Sequence, residues 1–114
     1  MSDCFEREWR FYVRDMIKFC EKVISYTEGH DLNSFAASGI TYDATLRNLE
    51  LIGEAATRIP HEIREANTHI PWRMIIATRN KLIHGYLAID DETLWSIICS
   101  DVDSLHHNLV QLIK

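Results

Sequence analysis

The sequence lacks the features that would place the protein in a membrane or in an oxidising compartment. No apolar run approaches the ~18 residues that a membrane-spanning helix needs, and the N-terminus contains no apolar signal core. The three cysteines, Cys4, Cys20 and Cys99, form no Cys-x-x-Cys pair, so neither a disulfide framework nor a zinc site is indicated. We therefore expect a cytoplasmic protein in which Cys20 and Cys99, both among apolar neighbours, are buried.

Proline and glycine are scarce as well. Two prolines and four glycines in 114 residues disfavour a turn-rich β architecture and favour long helices. Apolar residues make up 46% of the chain and charged residues 25%, which are ordinary proportions for a globular protein. The length suits one domain, which we place over residues 1–114. Because a chain this short buries only about two-thirds of its surface, we expect a site completed at a dimer interface rather than a deep private cavity.

Amphipathic periodicity predicts four long helices. In each of them apolar residues recur at spacings of three and four, which is typical of one buried helix face. The predicted long helices are 3–28, 41–58, 71–84 and 91–114, with shorter helical turns in 31–38 and 61–67. Gly29, Gly39, Pro60 and Gly85 are predicted to end or interrupt them. No segment has convincing strand periodicity, so the fold class is predicted to be all-α, an up-and-down four-helix bundle with short extra helices.

The net charge of −5 argues against a general nucleic-acid binder, but the charge is unevenly distributed. Residues 58–86 carry five Lys or Arg and two Asp or Glu, a net charge of +3, whereas residues 1–57 and residues 87–114 each have a net charge of −4. A basic patch on an acidic body can hold a short stretch of phosphate backbone. An ordinary fluctuation of charge along the sequence explains this uneven distribution equally well.

One arginine breaks the apolar pattern of the third long helix. Arg79 falls near the middle of an apolar arc on a helical wheel. The other members of that arc are Trp72, Ile75, Ile76, Leu82, Ile83 and Tyr86. A guanidinium cannot lose its proton, and burying it unpaired is costly. Three interpretations stay open: pairing with a buried carboxylate, for which Glu54 is the obvious candidate, extension to the surface, or opening into a wet cleft where Arg79 binds a phosphate.

A second face of the same helix carries polar and small residues. Arg73, Ala77, Asn80 and His84 follow one another at spacings of four, three and four. The Asn80 amide could orient the His84 imidazole or contact a phosphate. Arg79 and His84, however, are about 140° apart on a regular helix. Either the helix ends before His84, or the site combines groups from two chains around a two-fold axis.

These side chains suit the cleavage of RNA by its own 2′-hydroxyl. Histidine titrates near neutrality, so it can take a proton from the 2′-hydroxyl or give one to the leaving 5′-oxygen. Arginine can stabilise the charge that develops on the phosphorane. Because the nucleophile belongs to the substrate, the reaction requires no metal and no other cofactor. The need for a 2′-hydroxyl would also restrict the activity to RNA and exclude DNA.

The segment from Arg79 to Tyr86, RNKLIHGY, resembles the R-x4-H motif of the HEPN superfamily. Two further blocks narrow the resemblance to the HepT family: Arg47–Ala56, RNLELIGEAA, and Ile70–Arg73, IPWR. The resemblance covers the chain from about Asp3 to its end.

That resemblance implies a helical homodimer that acts as a metal-independent endoribonuclease and is the toxin of a type VII toxin–antitoxin system, with tRNA as the expected RNA. It implies that Arg79 and His84 are catalytic in a cleft at the dimer interface, where we place Asn80 and Arg73 as support for the RNA phosphate. It also implies a partner, an MntA-like minimal nucleotidyltransferase antitoxin, which transfers AMP from ATP onto Tyr86. The added negative charge and bulk beside His84 would repel RNA.

Two alternatives stay open. The first is a non-catalytic HEPN dimer that binds and regulates a partner nucleotidyltransferase and needs no working His84. The second is a four-helix metal or cofactor bundle, which the six histidines suggest. The long helices carry no Glu-x-x-His pair of the kind that builds such centres. Glu65 with His69, and the adjacent His106 and His107, are expected to face solvent.

Overall fold

The computed structural model describes residues 3–85 and 89–114, apart from the side chain of Asp3. Every regular element in these ranges is helical, which confirms the all-α prediction. The elements are α1 (Asp3–Thr27), α2 (Leu32–Ala37), α3 (Gly39–Ala56), α4 (His61–Ala66), α5 (Trp72–His84), α6 (Asp91–Ser96), a π-helical segment (Ile97–Asp101) and α7 (Val102–Leu112). None of the helices in this part of the chain is both long and apolar enough to cross a membrane.

Local chemistry sets several helix ends. Gly29, just after α1, has a φ of +80°, and Gly85, just after α5, has a φ of +143°, values that residues with a Cβ rarely adopt. Asp31 and Asp90 precede α2 and α6, and each carboxylate accepts a hydrogen bond of 2.8 Å from the amide three residues later. These hydrogen bonds lower the pKa of both carboxyl groups. Gly39 is not an interruption as predicted but the first residue of α3, because it adopts helical angles and Ser38 alone separates the two helices.

The last long helix runs without a break but contains a π-helical segment around Cys99. The buried residues Leu94, Ile98 and Val102 are spaced by four, which is wider than the 3.6 residues of an α-helical turn. The helix accommodates this spacing with the π-helical segment between α6 and α7. Cys99 follows Ile98 on the outer side and is exposed. The prediction that Cys99 is buried is therefore wrong.

The core lies where α1, α3 and α7 meet. Its central members are apolar and each is less than a tenth exposed. They are Trp9, Val13, Met16, Cys20, Val23, Leu46, Leu49, Ile52, Ala56, Leu105 and Leu109. Cys20 is fully buried as predicted, and this burial raises the pKa of its thiol to about 12. Cys20 therefore acts as a small hydrophobe.

One side of the bundle is open. α1 packs against α3 and α7, and α5 packs against α3. Within residues 3–85 and 89–114, α5 and α7 do not pack extensively on one another, and a groove floored by Leu49 and Ile52 runs between them. Among the elements that the structure describes, α5 is therefore an edge helix with one principal neighbour, α3.

Candidate functional site

The site begins where α5 packs on α3. At Gly53 the two helices are so close that a Cβ atom would lie 2.2 Å from the Cβ of Arg79 and 3.1 Å from the carbonyl oxygen of Ile75. No side chain fits between them, so glycine is required by this contact rather than by its backbone angles. This close approach brings the stem of Arg79 against α3.

The guanidinium of Arg79 is held by two neighbours. Its Nη2 donates to Oε2 of Glu54 at 2.5 Å, and its Nη1 donates to Oδ1 of Asn80 at 2.9 Å. Of the three interpretations of Arg79, the pairing with Glu54 is confirmed, but Glu54 is not buried as that interpretation supposed. The side chains of Arg79 and Glu54 are 25% and 45% exposed, so solvent screens the pair and limits its contribution to stability to about 1 kcal/mol or less. Its main effect is to fix the direction of the guanidinium.

The arginine retains unused donors. Its Nε is buried and has no hydrogen-bond partner among residues 3–85 and 89–114. Asn80 accepts from Arg79 through Oδ1, so in a single chain Asn80 orients Arg79 rather than His84. The amide nitrogen of Asn80 has no acceptor in the described part of the chain, and Asn80 is exposed. Both residues can therefore donate to an anion.

His84 points away from Arg79. α5 continues through His84 and ends at Gly85, so the explanation that the helix stops before His84 is wrong. On an uninterrupted helix the two side chains diverge by about 140°. His84 is exposed, and within the two described ranges it has no hydrogen-bond or ion-pair partner. A single chain thus presents the arginine and the histidine in different directions.

Two isoleucines lie between these directions. Around α5, Ile83 is about 40° from Arg79 and about 100° from His84, and Ile76 is within about 20° of Ile83. Ile83 is 49% exposed, and Ile76 is half-buried. We call Ile76 and Ile83 the isoleucine strip. The apolar arc that contains Ile83 is therefore not buried along its whole width, because the contact with Gly53 turns Arg79 toward α3 and leaves Ile83 half-exposed.

The other predicted site residues also lie on α5 or just beyond it. Arg73, Ala77, Asn80 and His84 are all exposed, which agrees with a separate polar face. Tyr86, the predicted site of modification, lies outside the described residues.

The histidines are dispersed rather than gathered at one centre. His61 pairs with Glu65 at 2.9 Å, and His106 pairs with Glu21 at 3.0 Å. Over residues 3–85 and 89–114, no three His, Cys, Asp or Glu side chains cluster as metal ligands would.

A cleft between α4 and the first half of α5 was not predicted from the sequence. The polar groups of its lining come from His61, Arg64, Glu65, Thr68 and Arg73. The Nε of Arg64 is buried and unpartnered among the residues described. The positive net charge of residues 58–86 was the sequence feature that could have indicated this cleft. However, α4 is too short for periodicity to show which way Arg64 points.

Comparison with known proteins places the chain among ribonuclease homologues. A family model described as HepT-like ribonuclease matches residues 16–112. A protein of Thermococcus cleftensis named as a probable ribonuclease HepT is 32% identical over 109 residues, which cover 96% of this chain and 99% of that protein. A protein of Methanocaldococcus jannaschii named as a candidate RNase is 34% identical over 100 residues, covering 88% and 92% of the two chains. Another candidate RNase, from Caldanaerobacter subterraneus subsp. tengcongensis, is 30% identical over 105 residues, covering 92% and 94%. No solved structure matches the chain.

Proposed function

Because the chain belongs to the HepT-like ribonuclease family, we propose that it is a metal-independent endoribonuclease whose site is completed in a homodimer. The observation that carries this proposal is the divergence of Arg79 and His84 on one uninterrupted helix, with the partly exposed isoleucine strip between them. A two-fold axis beside the strip would bury Ile83 and bring Arg79 of one chain toward His84 of the partner subunit. It would also leave the isoleucines in an apolar contact rather than in water.

Each side chain then has a role in transesterification. His84 takes the proton of the 2′-hydroxyl, and the 2′-oxygen attacks the adjacent phosphorus. The bond from phosphorus to the 5′-oxygen breaks, the leaving oxygen receives the proton that His84 has taken up, and a 2′,3′-cyclic phosphate remains. Arg79, aimed by Glu54 and Asn80, stabilises the extra charge on the phosphorane, while the free amide nitrogen of Asn80 donates to a phosphate oxygen. The proposed substrate is RNA, with tRNA as the first candidate.

Purified protein should cleave total RNA in the presence of EDTA. We expect His84→Ala and Arg79→Ala each to lower the initial rate by at least about 100-fold, since a proton-transfer group and a charge-stabilising donor each contribute at least that much. Gel analysis of total RNA over time measures the rate. His107→Ala, at an exposed histidine of α7, is the matched control and should cleave as wild type does.

Two outcomes would count against this proposal. Loss of cleavage on adding EDTA would show that the reaction needs a metal. A folded, unmodified dimer that cleaves no RNA would instead favour a non-catalytic protein that binds and regulates a partner nucleotidyltransferase.

We further propose that the protein is the toxin of a type VII toxin–antitoxin system and that an MntA-like nucleotidyltransferase silences it by AMPylation of Tyr86. The support is positional: Tyr86 is two residues after His84 in the sequence, so a phosphodiester on its oxygen would add negative charge where RNA binds. Incubation with ATP and the partner enzyme should add the mass of AMP and abolish cleavage. Tyr86→Phe should stay unmodified and active. Modification of the Tyr86→Phe protein at another residue would refute this assignment.

A further inference from the structure

We propose that the cleft between α4 and α5 is a second anion-binding subsite, which holds a backbone phosphate of the RNA outside the reacting position. This inference rests on the proposed function, because the ligand is the same RNA strand that Arg79 and His84 act on. The subsite would contribute to binding and not to the chemical step.

Arg64 is the central observation. It lies on α4 with its side chain half-buried in the cleft, and its buried Nε has no protein acceptor among the described residues. A buried donor left unsatisfied is costly, whereas an arginine fork is well matched to the oxygens of a phosphate. The structure therefore presents an arginine in the cleft whose Nε lacks an acceptor among the described residues.

The surroundings of Arg64 favour an anion. Arg73, on the first turn of α5, supplies a second guanidinium to the same cleft, and Thr68 supplies a hydroxyl. α5 has 13 residues, no acidic residue in its first turn, and a proline, Pro71, at its N-cap, where no side chain accepts from the amides. Its positive end therefore adds to the potential in the cleft.

One acidic group opposes this potential. Glu65 also lines the cleft, but its carboxylate is bound to Nε2 of His61 at 2.9 Å. Two guanidiniums thus face one carboxylate that already has a partner. The net charge of the cleft lining is therefore positive, and replacing Glu65 by a neutral residue should make it more positive.

The position of the cleft connects it to the reacting groups. Arg73 and Ala77 line it, and they share the exposed face of α5 with Asn80 and His84. The rise of an α-helix places Arg73 and His84 about 16 Å apart along the axis. A single-stranded RNA segment lying along this face would contact both regions, since such strands are tracked through their phosphates over several nucleotides.

The test measures binding without cleavage. The probe is a short fluorescent single-stranded RNA of mixed sequence with 2′-O-methyl groups throughout, so that no free 2′-hydroxyl can react. Fluorescence anisotropy at several salt concentrations gives the Kd and its salt dependence for the full-length protein. We expect Arg64→Ala to raise the Kd by at least about fivefold and to make the slope of log K against log salt shallower by about 0.7, which corresponds to one lost phosphate contact on a single strand.

Three variants separate this effect from loss of charge or of folding. Arg14→Ala removes one charge from the exposed surface of α1 and should change the Kd by less than about twofold. Arg64→Lys should recover part of the affinity, and Glu65→Gln should bind more tightly than wild type. Thermal melting of each variant establishes that it is folded.

The subsite is overturned if wild type fails to bind the probe, if Arg64→Ala binds as Arg14→Ala does, or if Glu65→Gln weakens binding. Because the probe cannot be cleaved, these results are independent of the cleavage assay. If wild type cleaves RNA but Arg64→Ala binds the probe as wild type does, the proposed function stands and the subsite is refuted. If wild type cleaves no RNA but Arg64→Ala weakens binding of the probe, the subsite stands and the proposed function is refuted.

Discussion

Mixed dimers of Arg79→Ala and His84→Ala chains should cleave RNA, although neither variant does so alone. In such a dimer one composite site lacks both side chains, and the other retains both. Random association makes half of the dimers mixed, and each of these keeps one of its two sites, so we expect about one quarter of wild-type activity. Co-refolding the two variants at equal concentration and measuring the initial rate of cleavage tests this. A site contained within a single chain predicts no activity at any mixing ratio.

The isoleucine strip supplies the control for that experiment. Ile83→Asp places a charge on a side chain that is 49% exposed, which the folded monomer tolerates but an apolar interface does not. We expect light scattering after gel filtration to show monomers and complementation to disappear. Ile40→Asp changes an isoleucine that is 88% exposed at the start of α3 and should leave dimers and activity intact. Dimers that survive Ile83→Asp would place the interface elsewhere.

Gly53→Ala should destabilise the protein and reduce its activity, even though alanine is the better helix former by about 1 kcal/mol. The added Cβ would lie 2.2 Å from Cβ and 2.9 Å from Cγ of Arg79, so α5 must shift away from α3. Overpacking of this kind costs about 1–3 kcal/mol. Because the shift also separates Arg79 from Glu54, we expect cleavage to fall by at least about tenfold. Urea denaturation and the RNA cleavage assay measure the two effects.

Gly39→Ala is the matched control on the same helix. Nothing lies within 4 Å of a Cβ built at Gly39, so this variant should be neutral or slightly more stable than wild type, with unchanged activity. If Gly53→Ala proves as stable as Gly39→Ala, the contact between α3 and α5 is looser than the structure indicates, and the orientation of Arg79 does not depend on it.

The helices and the pairing of Arg79 could be predicted because each follows from a local requirement. A stripe of apolar residues at spacings of three and four has one stable arrangement, a helix with that stripe buried. A guanidinium inside such a stripe needs a carboxylate or an exit to water, and Glu54 stands beside Gly53, where another helix can come close. Each of these inferences depends only on the residue pattern within one helix or on the pairing of two side chains, Arg79 and Glu54.

The exposure of Ile83, the exposure of Cys99 and the cleft at Arg64 could not be predicted in this way. The first depends on how α5 is rotated about its axis, which the contact at Gly53 decides. The second depends on a π-helical turn that shifts the register of the last helix. The third requires the relative placement of a short helix and a long one. Each is a tertiary effect that periodicity does not encode.

The position of α5 at the open edge of the bundle bears on how activity depends on the amount of protein. In the part of the chain that the structure describes, α5 has one principal neighbour, and such a helix opens locally at lower free energy than one enclosed on both sides. In the proposed dimer the partner subunit provides the second neighbour, so association would both assemble the site and hold its helix in place. Well below the dimer dissociation constant, the rate of cleavage would then rise with the square of the chain concentration. A cell containing few copies would experience almost none of the activity, and a modest rise in expression would cross a threshold.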